Sequence, residues 1–351
     1  SRCSAARGIF RVARHPVFKG DTVEKNPTIL VTGGAGYIGS HTCKILAGTG
    51  CTPVVYDNFD LGHRWAVKYG PLVEGDLADV KRLRDALAKY RVGAVVHFAG
   101  STYVGESMEN PRKYFQNNSV NTHSLLEAMQ DMGVETLVYS STCATYGIPK
   151  MIPISEEHPQ SPISPYGDSK YAVERAIHWF GEAYGLRWVA LRYFNAAGAD
   201  PDAEIGEFHV PETHLIPIAI EAVLKKRPHV DIFGTDYPTE DGTAVRDYVH
   251  VCDLAEAHRL ALNYLQRGGD SSAFNLGTGK GHSVREVIRA VGRASGREVP
   301  SQEKGRRPGD PAELIADARR AAGSLGWRPR LSGLDKIAET AWNWHSKVNV
   351  P

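Results

Sequence analysis

The sequence has no long apolar run, few cysteines and no surplus of charge of either sign. No stretch approaches the roughly 18–20 apolar residues of a membrane-spanning helix. The most apolar segments, Thr28–Val31 and Ala94–Phe98, have the length of strands instead. The five cysteines, Cys3, Cys43, Cys51, Cys143 and Cys252, are far apart and form no C-x-x-C. They offer neither a disulfide framework nor a thiolate metal site, so no metal is expected. They read as small apolar residues of a reducing compartment. Lys plus Arg number 41 against 40 Asp plus Glu, a net charge of +1. Such a balance argues against general nucleic-acid binding and against a charge-driven membrane role. Nothing repeats at a solenoid period, and no segment is low in complexity.

What is there is ordinary globular material. The chain has 351 residues, 42 % apolar and 23 % charged. That is enough for a large core, in two domains or in one α/β domain with an elaboration. Strand-like runs at Thr28–Thr32, Thr52–Tyr56, Ala94–Phe98, Thr136–Ser140 and Trp188–Arg192 alternate with helical stretches at Ser40–Gly48, Val80–Tyr90, Tyr114–Met132 and Tyr166–Tyr184. This alternation predicts a parallel sheet covered on both faces. After about Asn195 the pattern changes. Residues 196–215 are irregular, 236–242 and 305–310 read as loops, and helices are expected at Asp253–Gln266 and Val284–Ala294. The reading is a Rossmann-like, doubly wound first domain over residues 27–197. A smaller α/β domain over 198–351 takes the substrate, with segments near 232–266 returning to the first.

Residues 1–26 stand apart. Arg2, Arg7, Arg11, Arg14 and Lys19 precede the first acid, Asp21, and there is no apolar core of a secretory signal. Three readings stay open: a translated leader ahead of a start at Val23, an organellar targeting remnant, and a basic arm that docks on a partner. A cytoplasmic location is expected, with organellar targeting as the alternative.

The most informative short motif is the run Gly33–Gly39, G-x-x-G-x-x-G between a strand and a helix. Gly33 permits the tight turn, Gly36 lets backbone approach a pyrophosphate, and Gly39 lets helix and strand pack closely. The helix N-terminus offers free N–H groups and a positive dipole end to phosphate. Asp57 ends the next strand, where a carboxylate accepts from adenosine ribose hydroxyls and repels a 2′-phosphate. NAD is therefore expected over NADP. Asp76 and Leu77 could hold the adenine, and Phe98-Ala99-Gly100 lets the chain pass close to the cofactor.

Tyr166 and Lys170 stand four apart, one turn on the same face of a helix. Alone, such a pair is an ordinary solvated face. Behind a dinucleotide motif it becomes a proton-transfer pair. A free tyrosine, with a pKa of about 10, is a poor base at neutral pH. A nearby ammonium and a positive nicotinamide ring both favour phenolate, so a lowered tyrosine pKa is expected. Ser140, Ser141 and Thr142 bring hydroxyls to the sheet edge where ligands of such sheets bind.

With these residues in place, the chain resembles the extended short-chain dehydrogenase/reductase superfamily, and within it the UDP-glucose 4-epimerases. The resemblance runs from about Thr28 to Lys347. It rests on Val31–His41, Tyr56–Asn58, His97–Ser107, Tyr139–Gly147, Tyr166–Lys170, Leu191–Gly198, Ile232–Asp253, Asn275–Gly279 and Arg306–Asp310. It implies tightly bound NAD, a UDP-sugar substrate and inversion at C4 through a 4-keto sugar. Tyr166 would take the 4-hydroxyl proton, Thr142 would bond O4, and Lys170 would hold the phenolate and the nicotinamide ribose. Tyr37, Ile38, Asn58, Asn117 and Tyr193 would complete the cofactor site. Asn195, His214, Leu215, Phe233, Arg246, Arg307 and Asp310 would hold the UDP-sugar, the arginines suiting diphosphate and Asp310 the uridine ribose.

Three positions depart from the family pattern. Thr102 stands where many epimerases carry a phosphate-binding lysine. His214 stands where Asn is common. Leu314 stands at the sugar-pocket gate. The resemblance also implies a homodimer through helices near 114–132 and 166–184. Two alternatives remain open: a UDP-arabinose or UDP-xylose 4-epimerase, and a catalytically idle subunit of the same fold. A 4,6-dehydratase is disfavoured, because Cys143 and Ala144 follow Thr142 where the acidic pair would be.

Overall fold

The computed structural model describes residues 27–307 and 309–347; the readings made for residues 1–26 lie outside them. Six strands follow one another in the first half: β1 (Thr28–Thr32), β2 (Thr52–Asp57), β3 (Leu72–Glu74), β4 (Ala94–His97), β5 (Thr136–Thr142) and β6 (Arg187–Tyr193). With Ser272–Leu276 they make a seven-stranded sheet, in the order Ser272–Leu276, β6, β5, β4, β1, β2, β3. Every pairing in it is parallel. The order reverses between β1 and β4, so the carboxyl ends of these two strands flank a crevice.

The strands are apolar without alternation because helices cover both faces. On one face Ile29, Val31, Val96 and Leu191 pack with Leu46 of helix α1 (Tyr37–Gly48) and with Leu254, Ala257, Ala261 and Leu265 of the helix Val251–Gln266. On the other, Leu30, Val95, Leu137 and Ala190 pack with Leu83, Leu125, Met129, Val173 and Ile177 from three further helices. Helix α1 begins at Tyr37, three residues before the expected start, because Gly36 already serves as its N-cap. The expected helix 114–132 is interrupted: a π-helical turn at Phe115–Val120 precedes Asn121–Asp131. Such turns mark functional sites more often than chance.

The second half is smaller. Val245–His250 pairs with Asn195–Ala197, Gly281–Ser283 and Glu313–Leu314. Val230–Phe233 pairs with Ser301–Lys304. Of the stretch 232–266, then, the helix Val251–Gln266 covers the first sheet, while its strands lie in the small sheets. The strand that extends the first sheet, Ser272–Leu276, follows that stretch.

Beneath the sheet edge lies a buried ion pair. Arg192 of β6 donates to Glu174 of the helix Pro165–Tyr184 at 2.9 Å from Nε and 2.5 Å from Nη2. The Ser141 hydroxyl also donates to Glu174, and Tyr146 receives Arg192 Nη1 at 3.0 Å. The pair thereby fastens the helix carrying Tyr166 to the two strands beside it. Removing one member strands the other charge away from water, at a cost of about 3–5 kcal/mol. Glu174→Gln is expected to lower unfolding free energy by about that amount in urea denaturation. A loss below about 1 kcal/mol would show that the pair is dispensable.

Candidate active site

The three motif glycines differ in what surrounds them. Gly33 turns with φ +70°, and a Cβ there would lie 2.6 Å from the Ala99 amide nitrogen. A Cβ on Gly39 would lie 2.2 Å from the Gly33 carbonyl oxygen. Internal packing explains both. A Cβ on Gly36 would meet only the Gly33 oxygen, at 3.2 Å, and otherwise open space. That space lies above the start of α1, where no side chain caps the helix and no acid sits in the first turn. A helix N-terminus left bare below a space that a Cβ would enter suits a pyrophosphate. Ile38 lies in that first turn. The Tyr37 hydroxyl donates to the Gly198 carbonyl at 2.5 Å, tying the turn to the second half of the chain.

Asp57 is buried at the end of β2. Its Oδ2 accepts from the Ala35 N–H at 3.0 Å and its Oδ1 from the Phe59 N–H at 2.9 Å. Burial pushes its pKa up, and the two amides oppose that. A carboxylate has about four acceptor sites, so capacity for ribose hydroxyls remains. Asn58 donates to Asp76 at 2.8 Å, and Asp76 also accepts from the Ala78 N–H. Leu77 is buried in the core behind them.

After β4, Phe98 packs on His258 with ring centroids 4.5 Å apart. A Cβ on Gly100 would lie 2.9 Å from Asn118 Oδ1 and 3.6 Å from Lys170 Nζ. Thr102 is exposed. Asn117 donates to the Ser101 hydroxyl at 2.9 Å. Its neighbour Asn118 is the stronger fixture. It holds the Ser101 N–H at 2.7 Å, the Ser101 carbonyl at 3.0 Å and the Ser169 hydroxyl at 3.0 Å. Asn118 thus joins the loop after β4 to the Tyr166 helix. The sequence reading missed it, and the Asn-Asn pair in a predicted helix was the available signal.

At the end of β5, Thr142 lies opposite Tyr193 of β6, whose hydroxyl shares a hydrogen bond with Ser140. Ser164 caps the next helix by accepting from the Gly167 N–H at 3.2 Å, and Pro165 occupies its first turn. That start delivers Tyr166 and Lys170 to the sheet edge. Lys170 is 3 % exposed. It donates to the Ser140 carbonyl at 3.1 Å and lies 5.1 Å from the centre of the Tyr139 ring. Among the described residues no carboxylate pairs with it. Burial lowers its pKa from 10.5 to about 8.

Burial pushes the pKa of Tyr166 up to about 12, with the Thr142 hydroxyl beside it as the opposing influence. The lowered value expected from the sequence rests on the nicotinamide charge as well as on Lys170.

Of the remaining positions, Asn195 begins the short strand that follows β6 and pairs with Val245–His250, and His214 is the N-cap of the helix that starts at Leu215. Arg307 stacks on Phe233 at 3.9 Å. Arg246 forms an ion pair with Asp310 and donates to the Val245 carbonyl at 2.8 Å. Its charge reaches Cys143, next to Thr142. Leu314 packs with Cys143, Tyr146 and Phe194. The structure therefore joins Arg246, Asp310 and Leu314 to the Thr142 end of β5. His214 instead gathers with Glu207, His209 and Glu212, a grouping the sequence reading missed.

The comparisons with known proteins agree with this geometry. The sequence profile of the NAD dependent epimerase/dehydratase family matches residues 29–277. A UDP-glucose 4-epimerase of Rhizobium leguminosarum bv. trifolii is 52 % identical over 322 residues, 92 % of this chain and 98 % of that protein. The crystal structure of UDP-glucose 4-epimerase from Brucella ovis in complex with NAD superposes with a TM-score of 0.89 at 51 % identity, covering 90 % of this chain and 98 % of that one. The enzyme from Bifidobacterium longum, in complex with NAD+ and UDP, gives 0.87 at 36 % identity, covering 91 % and 98 %. Sheet order, glycine turn and Tyr-Lys pair fall in the aligned region, and the chain belongs to the NAD dependent epimerase/dehydratase family, on its UDP-glucose 4-epimerase branch.

Proposed function

We propose that this protein interconverts UDP-glucose and UDP-galactose by inverting sugar C4, with NAD as its resident cofactor. The observation that carries the reading is the convergence of Thr142, Tyr166 and an unpaired buried Lys170 at the sheet edge beside the bare start of α1. Gly33, Gly36 and the α1 N-terminus would hold the pyrophosphate, Asp57 the adenosine ribose and Lys170 the nicotinamide ribose. NAD bound there supplies an acceptor for the C4 hydride that later gives it back.

The chain's own residues do the rest. Tyr166, as phenolate, takes the proton of the sugar 4-hydroxyl, and Thr142 bonds O4 and guides the transfer. Burial pushes the Tyr166 pKa up to about 12, so positive charge beside the ring is needed to favour the phenolate. Lys170 is mostly protonated at neutral pH and holds the phenolate once it forms. Arg246, Arg307 and Asp310 grip the UDP portion while the sugar turns, and Leu314 bounds the sugar pocket. Burial keeps water from the keto sugar.

We further propose a cytoplasmic homodimer. Among the described residues no helix is long and apolar enough to cross a membrane. The helices named for the interface expose Val120, 51 % accessible, and Trp179, 63 % accessible. Sedimentation velocity should give a dimer that Trp179→Glu converts to monomer; a monomeric parent protein would contradict this.

The test of function is proton NMR of UDP-galactose with purified protein and no added NAD. UDP-glucose should appear, and Tyr166→Phe should slow its formation by about 10²–10⁴-fold. No conversion by folded protein that releases NAD on denaturation would refute the hexose reading and turn attention to pentose substrates. In the same assay Lys170→Met removes the charge that favours phenolate. The tyrosine pKa then rises, so the acid limb of the pH–kcat profile should move to higher pH by about one unit or more. An unmoved limb would mean that Lys170 does not tune Tyr166.

A further inference from the structure

The segment ahead of the helix Leu215–Val223 folds Glu207, His209, Glu212 and His214 toward one point. One ligand atom from each lies within 4.8 Å of all the others. His209 Nδ1 is 3.2 Å from Glu207 Oε1 and 3.7 Å from Glu212 Oε2. His214 Nδ1 is 2.5 Å from Glu207 Oε1 and 3.5 Å from Glu212 Oε1. Bonds of 2.0–2.2 Å in tetrahedral geometry place neighbouring ligand atoms about 3.4 Å apart. The two His209 separations lie close to that edge length, and the His214–Glu207 separation is shorter.

Burial and hydrogen bonding point the same way. The Glu207 and Glu212 side chains are 4 % exposed and that of His209 15 %. Glu207 Oε1 and His209 Nδ1 are both buried without a hydrogen-bond partner, although they face each other. His214 Nδ1 faces the same Glu207 oxygen, so three ligand atoms crowd one point. Two electron-rich atoms that approach without an aligned proton are disposed as ligands around a cation. On Glu212, Oε1 accepts from the backbone N–H groups of Thr213 and His214 at 2.8 and 2.9 Å. Those bonds orient the carboxylate and leave Oε2 free.

The segment is also held from outside. Trp344 Nε1 donates to the Glu207 carbonyl at 2.8 Å, His63 Nε2 meets the Phe208 carbonyl at 2.9 Å, and the Tyr103 ring meets His209 edge-on. These contacts fix the backbone at Glu207 and Phe208 and one face of the His209 ring.

We propose that Glu207, His209, Glu212 and His214 bind one divalent transition-metal ion of the Zn2+ type. Two imidazoles and two carboxylates without a thiolate suit that class. The ion would fasten residues 207–214 to the wall formed by Tyr103 and so fix His214 at the head of its helix. Its role is structural, and it takes no part in proton transfer at Tyr166.

The test uses the full chain without an affinity tag, freed of metal by chelator and dialysis. The protein is then loaded with ZnCl2 or CoCl2 and desalted. About one equivalent of Zn2+ per chain should remain by mass spectrometry, and loading should raise the thermal midpoint. Glu207→Gln and His209→Gln, with folding checked by circular dichroism, should each retain at least tenfold less, with no rise in midpoint. Should neither variant fold, the wild-type Co2+ spectrum decides, and ligand-field bands of a four- or five-coordinate nitrogen and oxygen site are expected. Zn2+ lost on desalting, equal retention by parent and variants, or the spectrum of six-coordinate aqueous Co2+ overturns the proposal. The first result would identify the cluster as an ion-pair network of protonated histidines.

Discussion

Lys170 carries an amine buried at 3 % exposure, with a backbone carbonyl and an aromatic face for company. An ammonium in that place is costly unless something nearby gains from it. Most of the site can be read as the means of holding it there. The β5 edge supplies the Ser140 carbonyl, and Ser164 and Pro165 start the helix that aims the lysine inward. Asn118 locks that helix against the loop after β4. The Glu174–Arg192 pair anchors its middle. The pocket desolvates one amine and one phenol, lowering the Lys170 pKa to about 8 and raising that of Tyr166 to about 12, so each is pushed toward its uncharged form.

Specific ties join the two halves near the site. Tyr37 reaches from the first turn of α1 to Gly198, and Arg246 and Asp310 lie near the end of β5. The chain leaves the sheet after β6, builds the small sheets, and sends the helix Val251–Gln266 and the strand Ser272–Leu276 back. The nucleotide end of a substrate can thus be gripped by the second half while its sugar lies over the edge of the first. An inversion that needs the sugar to turn while its carrier stays fixed suits this division.

Local patterns were legible in the sequence. The glycine run, Asp57 and the Tyr166–Lys170 spacing each express a physical requirement within a few residues, and the structure puts each at the sheet edge or its crevice. Features made by distant residues were not legible. Glu174 and Arg192 lie on separate elements and look like surface charges. Asn118 acts through a π-helical turn that apolar periodicity does not reveal. Glu207, His209, Glu212 and His214 follow neither helical nor strand spacing, and their meeting depends on the fold of an irregular segment. The opposing burial of Tyr166 was not legible either: spacing showed the ammonium, whereas desolvation depends on tertiary packing.

The central claim is that the hydrogen at sugar C4 leaves and returns within a closed site while only the hydroxyl proton passes through Tyr166. Running the conversion of UDP-galactose in D2O and examining C4 of the product by NMR tests it directly. The account predicts UDP-glucose with ordinary hydrogen at C4, even after many turnovers. Deuterium at C4 would show that this hydrogen exchanges with solvent as a proton, and would contradict it.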